Sequence, residues 1–268
     1  MLHNYVISLA HANERREHIK QVFGEQNIAF TFFDALQPSE ALNEAINEQL
    51  PALHQEPRMT EGEKACLMSH LALWQKCLDE QWPYIAIFED DAILGKEAGK
   101  FLADDQWLQQ NFCNHAYFLC LETVLRPLNL IATKMVLPHQ GRQIMRLSSS
   151  NNGCGAYIIS YEMISLLMSK INSLVGYELN PIDVLIYDQL NGLDGCNLYQ
   201  LVPALSIQDS VLNGQNGLSS QLEQQRSIHF HNLPKKKRRR TVIQQVRHII
   251  SKPVRMRMKS KREIVSFV

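Results

Sequence analysis

The sequence has 268 residues, of which 45 % are hydrophobic and 20 % are charged, and this composition excludes a disordered or fibrous chain. Its net charge of zero results from two opposite parts. Residues 235–268 contain 13 of the 27 basic residues and one of the 27 acidic residues. Residues 1–234 therefore contain 14 basic and 26 acidic residues. We therefore predict an acidic domain, residues 1–234, and a basic tail, residues 235–268, with charges near −12 and +12.

The N-terminal residues 1–8 have no basic segment before an apolar run and no small-residue cleavage site, which argues against a secretory signal. No stretch approaches the roughly 18 apolar residues that a membrane-spanning helix needs. The six cysteines include no CxxC pair, and several stand among apolar residues, as is typical of reduced thiols in a core. We therefore expect a cytoplasmic protein.

Strand-like and helix-like patterns alternate along the domain. Strands are predicted at Leu2–Leu9, Ile28–Phe33, Tyr84–Phe88, Ala116–Leu121, Ile131–Leu137, Gly155–Ser160 and Leu198–Val202. Helices are predicted at 11–26, 38–50, Thr60–Gln81, Tyr161–Ile171 and 180–190, and a loop is predicted at 208–233. This alternation is typical of an α/β domain with a mostly parallel central sheet flanked by helices.

The clearest predicted helix begins at Thr60, which forms a capping-box pattern with Glu63. Glu63 is thereby explained by the start of the helix, and a role in a binding site is the alternative. His70 lies seven residues after Glu63, so both flank the apolar stripe of the helix at nearly the same angle. Such a polar pair could face a binding cleft, or His70 could be a structural residue beside the core.

An acidic triplet, Glu89-Asp90-Asp91, directly follows the apolar run Tyr84–Phe88. In α/β sheets, ligands bind at the carboxyl ends of the strands. If the chain stays extended, Glu89 and Asp91 point to one side and Asp90 to the other. Two converging carboxylates suit a hard cation such as Mg²⁺ or Mn²⁺, which can hold a diphosphate. The alternative is a solvated acidic turn, and the pattern alone does not decide between the two.

Five segments resemble, in order, the motifs of glycosyltransferase family 25, the bacterial lipooligosaccharide transferases related to collagen galactosyltransferases. They are Tyr5–Leu9 with Glu14-Arg15-Arg16, Gly62–Trp74, Ile87–Ala92, Gly155–Ser160 and Pro181-Ile182-Asp183. The match covers about residues 3–210. One departure is Gly153-Cys154-Gly155, because the family usually carries a Thr after the first Gly of this motif.

The resemblance implies a GT-A-like fold, a UDP-hexose donor, a Mn²⁺ or Mg²⁺ cofactor and inversion at the anomeric carbon. It implies galactose first and glucose next as the sugar, and a lipooligosaccharide or lipopolysaccharide core as the acceptor. It identifies Glu89 and Asp91 as metal-binding residues. The donor-binding residues that it implies are Ser8, Leu9, Arg16, Glu63, Ser69, His70 and Asp90.

Inversion needs a base that takes the proton of the acceptor hydroxyl. The resemblance assigns this role to Asp183, although an acid in the first turn of a helix is equally explained by the helix dipole. Asp188, on another face of the same predicted helix, is the weaker candidate. His229 and His231 are candidate metal ligands, because a late histidine completes the metal shell in some GT-A enzymes.

Two arginines follow the first predicted strand. Arg16 could reach the pyrophosphate of the donor, since a guanidinium fits phosphate oxygens. Arg15 is interpreted as a solvated residue at the start of a helix.

The basic tail contains an apolar stripe at residues 241–250, with Lys and Arg on both flanks. This pattern predicts an amphipathic helix at an anionic membrane surface, and packing of the stripe on the domain is the alternative. Residues 235–240 would also suit a nucleic-acid-binding arm, but the acidic domain argues against nucleic acid as a partner. A metal-dependent nucleotidyltransferase or phosphoesterase is a third hypothesis. The glycosyltransferase hypothesis, with the tail at a membrane surface, places the enzyme on the inner face of the bacterial inner membrane.

Overall fold

A computed structural model describes residues 2–112, 115–133, 136–214 and 261–268. Its strands are β1 Asn4–Ser8, β2 Thr31–Asp34, β3 Tyr84–Glu89, β4 Ala92–Leu94, β5 Phe118–Cys120, β6 Glu122–Thr123, β7 Pro127–Leu128, β8 Leu130–Ala132, β9 Gln143–Leu147, β10 Ala156–Ser160, β11 Leu198–Val202, β12 Ser206–Gln208 and β13 Glu263–Ile264. Its α-helices are α1 Asn13–Gly24, α2 Glu40–Gln49, α3 Glu61–Asp79, α4 Gly99–Leu102, α5 Gln106–Phe112, α6 Tyr161–Asn172, α7 Ile182–Val184 and α8 Asp209–Asn213. Short 3-10 helices lie at Pro51–Gln55 and Gly176–Glu178, and a π-helical turn lies at Leu185–Gln189.

Eight strands form the central sheet in the order β2-β1-β3-β10-β5-β11-β9-β8. Six of them run in one direction, and β9 and β10 run in the other. The α/β class and the mostly parallel strand direction are thus confirmed. The sequence pattern does not predict that β10 lies antiparallel in the middle, between β3 and β5. A small second sheet, β4-β12-β6, adjoins the carboxyl end of β3.

Strand β3 is buried on both faces of the sheet. Ile85 and Ile87 belong to the core that also contains the apolar stripe of α3, whereas Ala86 and Phe88 belong to the core under α1. Phe23 of α1 contacts Phe88 edge-on, with ring centroids 5.2 Å apart. A strand that is covered on both faces has a continuous apolar sequence. In β3 this apolar sequence ends at Phe88, where the acidic triplet begins.

Helix α3 begins with the predicted capping box. The side chain of Thr60 accepts a hydrogen bond from the backbone N–H of Glu63 (3.1 Å), and the Glu63 carboxylate accepts one from the backbone N–H of Thr60 (2.8 Å). The helix ends at Asp79, before Pro83. The prediction from the local pattern is confirmed, because the bonds that start the helix are local.

Three predicted elements differ from the structure. The helix predicted at 180–190 begins only at Ile182, because the side chain of Asn180 donates to the carbonyl of Glu178 (3.0 Å) instead of capping it. The strand predicted at Ile131–Leu137 is the short β8, which ends at Ala132. The predicted loop from residue 208 begins with α8, placed by the pairing of β12 with β4 and β6.

The last eight residues of the chain, 261–268, pack on the domain. Strand β13 pairs with β7, and Val265 is 1 % exposed. Thr123 Oγ1 donates to the carbonyl of Val265 (2.8 Å), and Arg142 Nη2 donates to the carbonyl of Val268 (2.7 Å). Residues 261–268, the part of the predicted tail that the structure describes, therefore pack on the domain. The helix predicted at 241–250 and the basic run at 235–240 lie outside the described residues.

Within the described part of the chain, no helix is long and apolar enough to cross a bilayer. The five described cysteines form no disulfide, and all except Cys66 are buried. This agrees with the expectation of reduced thiols in the core.

Candidate functional site

The acidic triplet lies at the carboxyl end of β3. Strand β1 runs parallel to β3 with Ile7 opposite Glu89, so Ser8 and Leu9 leave the sheet beside the triplet. The chain does not stay extended here, because a turn at Asp90 and Asp91 leads directly into β4. The three carboxylates therefore face different neighbours. The turn sets their directions, whereas the prediction assumed the alternating side chains of an extended strand.

Asp90 is held by residues from β1 and α1. Ser8 Oγ donates to Asp90 Oδ2 (2.7 Å), and Arg15 forms an ion pair with Asp90 Oδ1. The side chain of Arg15 is 23 % exposed. Burial acts to lower the pKa of Arg15, but the carboxylate of Asp90 outweighs it and raises that pKa. The interpretation of Arg15 as a solvated residue is therefore wrong, since the first turn of α1 directs it to the end of β3.

Asp91 is the most deeply buried carboxylate of the triplet, at 6 % exposure. Among the described residues, its Oδ1 has no hydrogen-bond partner. Burial first, and then the negative charge of Glu89, raise the pKa of Asp91 to about 7. A bound cation would offset both effects, so this pair of carboxylates fits a divalent metal ion.

Glu89 lies between the small second sheet and α3. Gln208 Nε2 donates to Glu89 Oε2 (3.1 Å) from the end of β12. On its other side, Glu89 Oε1 lies 3.8 Å from His70 Nε2 and 4.0 Å from Cys66 Sγ. The sequence pattern does not predict the position of Cys66, although it stands four residues before His70 and thus on the same helical face.

His70 is completely buried, and its ring is fixed from one side. Its Nδ1 lies 2.7 Å from Tyr157 Oη, which also accepts a hydrogen bond from Trp74 Nε1 (3.0 Å). Its Nε2 has no hydrogen-bond partner among the described residues and is directed at Glu89. His70 therefore belongs to a core network through Nδ1, and its Nε2 is directed at the carboxylate of Glu89.

A cavity of about 340 Å³ opens beside the triplet. It is lined by the carboxyl ends of β1 and β3, the loop after β2, the start of α1 and the N-terminal half of α3. The lining residues are Ile7, Ser8, Leu9, His11, Ala12, Arg15, Ala35, Leu36, Gln37, Pro38, Gly62, Ala65, Cys66, Ser69, Glu89, Asp90 and Asp91. The predicted donor residues that line it are Ser8, Leu9, Ser69 and Asp90.

Three other predicted donor residues, Arg16, Glu63 and His70, are not among the residues that line this cavity. Glu63 is used by the capping box and is 4 % exposed. Arg16 donates to the carbonyls of Ser8 and Leu9 (3.1 Å each) and forms an ion pair with Asp34. Arg16 therefore ties the ends of β1 and β2 together.

Ser69 supports the loop that forms one wall of the cavity. Its Oγ donates to the carbonyl of Ala65 (2.8 Å) and accepts from the backbone N–H of Leu36 (2.9 Å). A serine in the middle of a helix thus fixes the loop after β2.

The two candidate bases differ in their surroundings. Asp183 is half-buried, and its Oδ2 accepts a hydrogen bond from the backbone N–H of Gly153 (3.3 Å), while Oδ1 accepts one from Val184 (2.9 Å). Asp188 is exposed on the π-helical turn. The structure therefore places Asp183, rather than Asp188, against the loop that precedes β10.

Glu122 is a buried acid that the sequence pattern does not single out. It is 1 % exposed, and its Oε1 accepts a hydrogen bond from the backbone N–H of Gly155 (2.6 Å). Burial, followed by the charge of Glu89, raises its pKa well above the ordinary value of a glutamate. Its position directly after the predicted strand Ala116–Leu121 is the same signal that identified the triplet.

The remaining predicted metal ligands, His229 and His231, lie outside the described residues.

Comparison with known proteins relates this arrangement to a family. The family model described as "Glycosyltransferase family 25 (LPS biosynthesis protein)" matches residues 1–186. The chain is 43 % identical to the lipooligosaccharide biosynthesis protein lic2B of Haemophilus influenzae, over 90 % of this chain and 88 % of that protein. It is 39 % identical to the lacto-N-neotetraose biosynthesis glycosyltransferase LgtE of Neisseria gonorrhoeae, over 84 % and 82 % of the two chains. It is 42 % identical to LgtB of Neisseria meningitidis, which has the same description, over 78 % and 76 %.

Proposed function

Because the chain belongs to glycosyltransferase family 25, we propose that it transfers a hexose from a UDP-sugar to a lipooligosaccharide acceptor, with a divalent cation beside Glu89 and Asp91. One observation carries the choice of site. The buried Asp91 lies next to Glu89 at the wall of a cavity of about 340 Å³, and its Oδ1 has no hydrogen-bond partner in the described part of the chain. That volume is within the range of about 300–1,000 Å³ that is usual for small-molecule sites.

The donor set at this position favours Mn²⁺ or Mg²⁺, since both cations prefer carboxylate oxygens. Asp91 would hold the cation, and Glu89 would assist or contact the donor. When bound, such a cation neutralises the charge that develops on a departing diphosphate. His229 and His231 remain candidates for completing the metal shell.

The walls of the cavity suit a nucleotide diphosphate. Arg15 brings a positive charge to its edge, and Asp90 fixes that charge in place. Ser8 and Leu9 contribute the end of β1, a position where α/β sheets bind their ligands. Arg16 positions the end of β1 through the carbonyls of Ser8 and Leu9. His70 is directed at Glu89, and Glu63 holds the start of α3.

Asp183 is our candidate for the base that takes the proton of the acceptor hydroxyl in an inverting transfer. Its carboxylate is fixed by the backbone of Gly153, in the loop where this chain departs from the family motif. In this proposal Asp188 contributes nothing to the chemistry, because it is exposed to solvent.

Galactose is the proposed sugar and glucose the alternative, within a GT-A-like fold. A lipooligosaccharide acceptor is supported by the names of the relatives, each of which is described as a biosynthetic protein of lipooligosaccharide or of lacto-N-neotetraose. The same acceptor class supports a location on the inner face of the bacterial inner membrane, where the basic residues 235–260 would contact anionic lipid.

The test is release of UDP by the purified chain. A panel of UDP-hexoses, with a lipooligosaccharide acceptor and Mn²⁺, should give UDP with one sugar above all others, and EDTA should abolish the release. UDP release that persists in EDTA would contradict the metal requirement. Release of pyrophosphate from nucleoside triphosphates in place of UDP release would favour a nucleotidyltransferase.

A further inference from the structure

Cys66, His70 and Glu89 form a cluster of three potential ligands that shares only Glu89 with the carboxylate pair of the proposed cation site. One ligand atom from each, the thiol sulfur, an imidazole nitrogen and a carboxylate oxygen, lie within 4.8 Å of one another. Cys66 and His70 stand four residues apart on α3, so they project from one helical face. Glu89 approaches them from the end of β3.

The buried nitrogen of His70 is the second observation that indicates a ligand. A completely buried polar atom without a hydrogen bond destabilises the fold, and Nε2 of His70 is such an atom among the described residues. The opposite nitrogen, Nδ1, is held 2.7 Å from Tyr157 Oη. Metal-binding histidines are typically fixed in this way, with the second ring nitrogen bound to an outer partner.

From this geometry we infer that Cys66, His70 and Glu89 form a binding site for a thiophilic divalent cation such as Zn²⁺. Thiolate, imidazole and carboxylate together are a Zn²⁺ donor set, whereas Mn²⁺ and Mg²⁺ prefer oxygen alone. A tetrahedral Zn²⁺ site needs ligand atoms about 3.3–3.6 Å apart. The separations of 3.8 Å and 4.0 Å from Glu89 Oε1 are close to that requirement.

Cys66 and Glu89 both line the cavity, so a cation held by them would be accessible from it. Zn²⁺ bound there takes one carboxylate away from the pair Glu89 and Asp91. If the proposed function holds, Zn²⁺ therefore competes with Mn²⁺-dependent UDP binding, and the two cations exclude each other through Glu89.

The test is a titration of the metal-free full chain with Co²⁺, a spectroscopic substitute for Zn²⁺. One equivalent should produce a thiolate-to-cobalt charge-transfer absorption, and Zn²⁺ should remove it. Cys66→Ser should lack this absorption, and His70→Gln should weaken Zn²⁺ binding by at least about 10- to 100-fold. The matched control Cys196→Ser changes a buried thiol in another region and should retain the absorption.

Absence of the absorption in the wild type, or its persistence in Cys66→Ser, would overturn the inference. If Cys66→Ser has a lower melting temperature than the wild type, Cys66→Ala replaces it as the variant that lacks the thiol. Asp91→Asn separates this inference from the proposed function. It should lose Mn²⁺-dependent UDP binding and keep the cobalt absorption, so failure of either site is visible on its own.

Discussion

Arg15 and Asp90, separated by 75 residues in sequence, form an ion pair that joins the first turn of α1 to the end of β3. The side chains are 23 % and 10 % exposed, so the pair lies between a surface ion pair and a buried one. Its partners come from two of the elements that line the cavity. The pair therefore fixes the position of one wall relative to the acidic triplet.

Replacing Arg15 by Gln should lower the free energy of unfolding by about 1–3 kcal/mol. The variant leaves the Asp90 carboxylate largely buried, with Ser8 as its remaining side-chain partner among the residues that the structure describes. Chemical denaturation at pH 7 measures this change. Lys20→Gln, which removes an exposed ion pair with Glu17 on the same helix, is the control and should change stability by less than about 0.5 kcal/mol. Equal losses in the two variants would show that the Arg15 pair has no special role.

Asp91→Asn should abolish Mn²⁺-dependent UDP binding and leave the melting temperature at or above that of the wild type. The amide removes the charge that burial disfavours but keeps the shape of the side chain. Calorimetric titration of UDP with Mn²⁺ measures the loss. Asp104→Asn, at an exposed acid, is the control and should bind as the wild type does. Unchanged affinity in Asp91→Asn would place the cation elsewhere.

The stability of the metal-free chain should depend on pH through Asp91. Its pKa in the folded state is about 7, above the value of about 3.9 in an unfolded chain. The folded state therefore binds the proton more tightly, and the contribution of Asp91 to stability is full below pH 4 and is lost as pH rises through 7.

Asp91→Asn cannot titrate, so its stability relative to the wild type should increase by roughly 2–3 kcal/mol between pH 5 and pH 8. Urea unfolding in EDTA at the two pH values measures this difference. A constant difference across this range would contradict the raised pKa.

Asp183→Asn should lower turnover by roughly 10²- to 10⁴-fold with donor binding intact, as expected when a general base is removed. Asp188→Asn is the matched control, because this exposed acid lies on the turn that directly follows α7. Steady-state kinetics and UDP titrations distinguish chemistry from binding. Normal turnover in Asp183→Asn would show that Asp183 serves the start of its helix and that another acid is the base.

The basic run should hold the chain on anionic membranes. Replacing Lys235, Lys236 and Lys237 by Gln should weaken binding to phosphatidylserine vesicles by roughly 100-fold, because each Lys contributes about 1 kcal/mol at such a surface. Flotation at low and high salt measures the loss.

The control for this experiment removes three exposed lysines from the body, Lys20, Lys96 and Lys100. Equal flotation of the two triple variants would show that membrane contact does not depend on the basic run. Point substitutions are preferable to truncation after Pro234, since truncation also removes β13 and the buried Val265.

What the sequence predicts correctly depends on interactions between near neighbours. The capping box of Thr60 and Glu63 spans three residues, and the buried run of β3 ends at the triplet that follows it, so both can be read locally. The direction of β10 and the contact of Arg15 with Asp90 depend on residues far apart in sequence, and local patterns carry no information about them. Glu122 had a local signal, because it directly follows a predicted strand.

The packing of residues 261–268 on the domain has a mechanical consequence for the basic segment. Residue 214 belongs to the domain, and β13 returns the chain to it, so residues 215–260 are attached at two points. A segment attached at one end restrains only the distance between a protein and a surface that the segment contacts. A segment attached at both ends also restrains rotation about the point of attachment. Any surface that binds this segment therefore restricts which side of the domain, and thus which direction of the cavity mouth, is turned toward it.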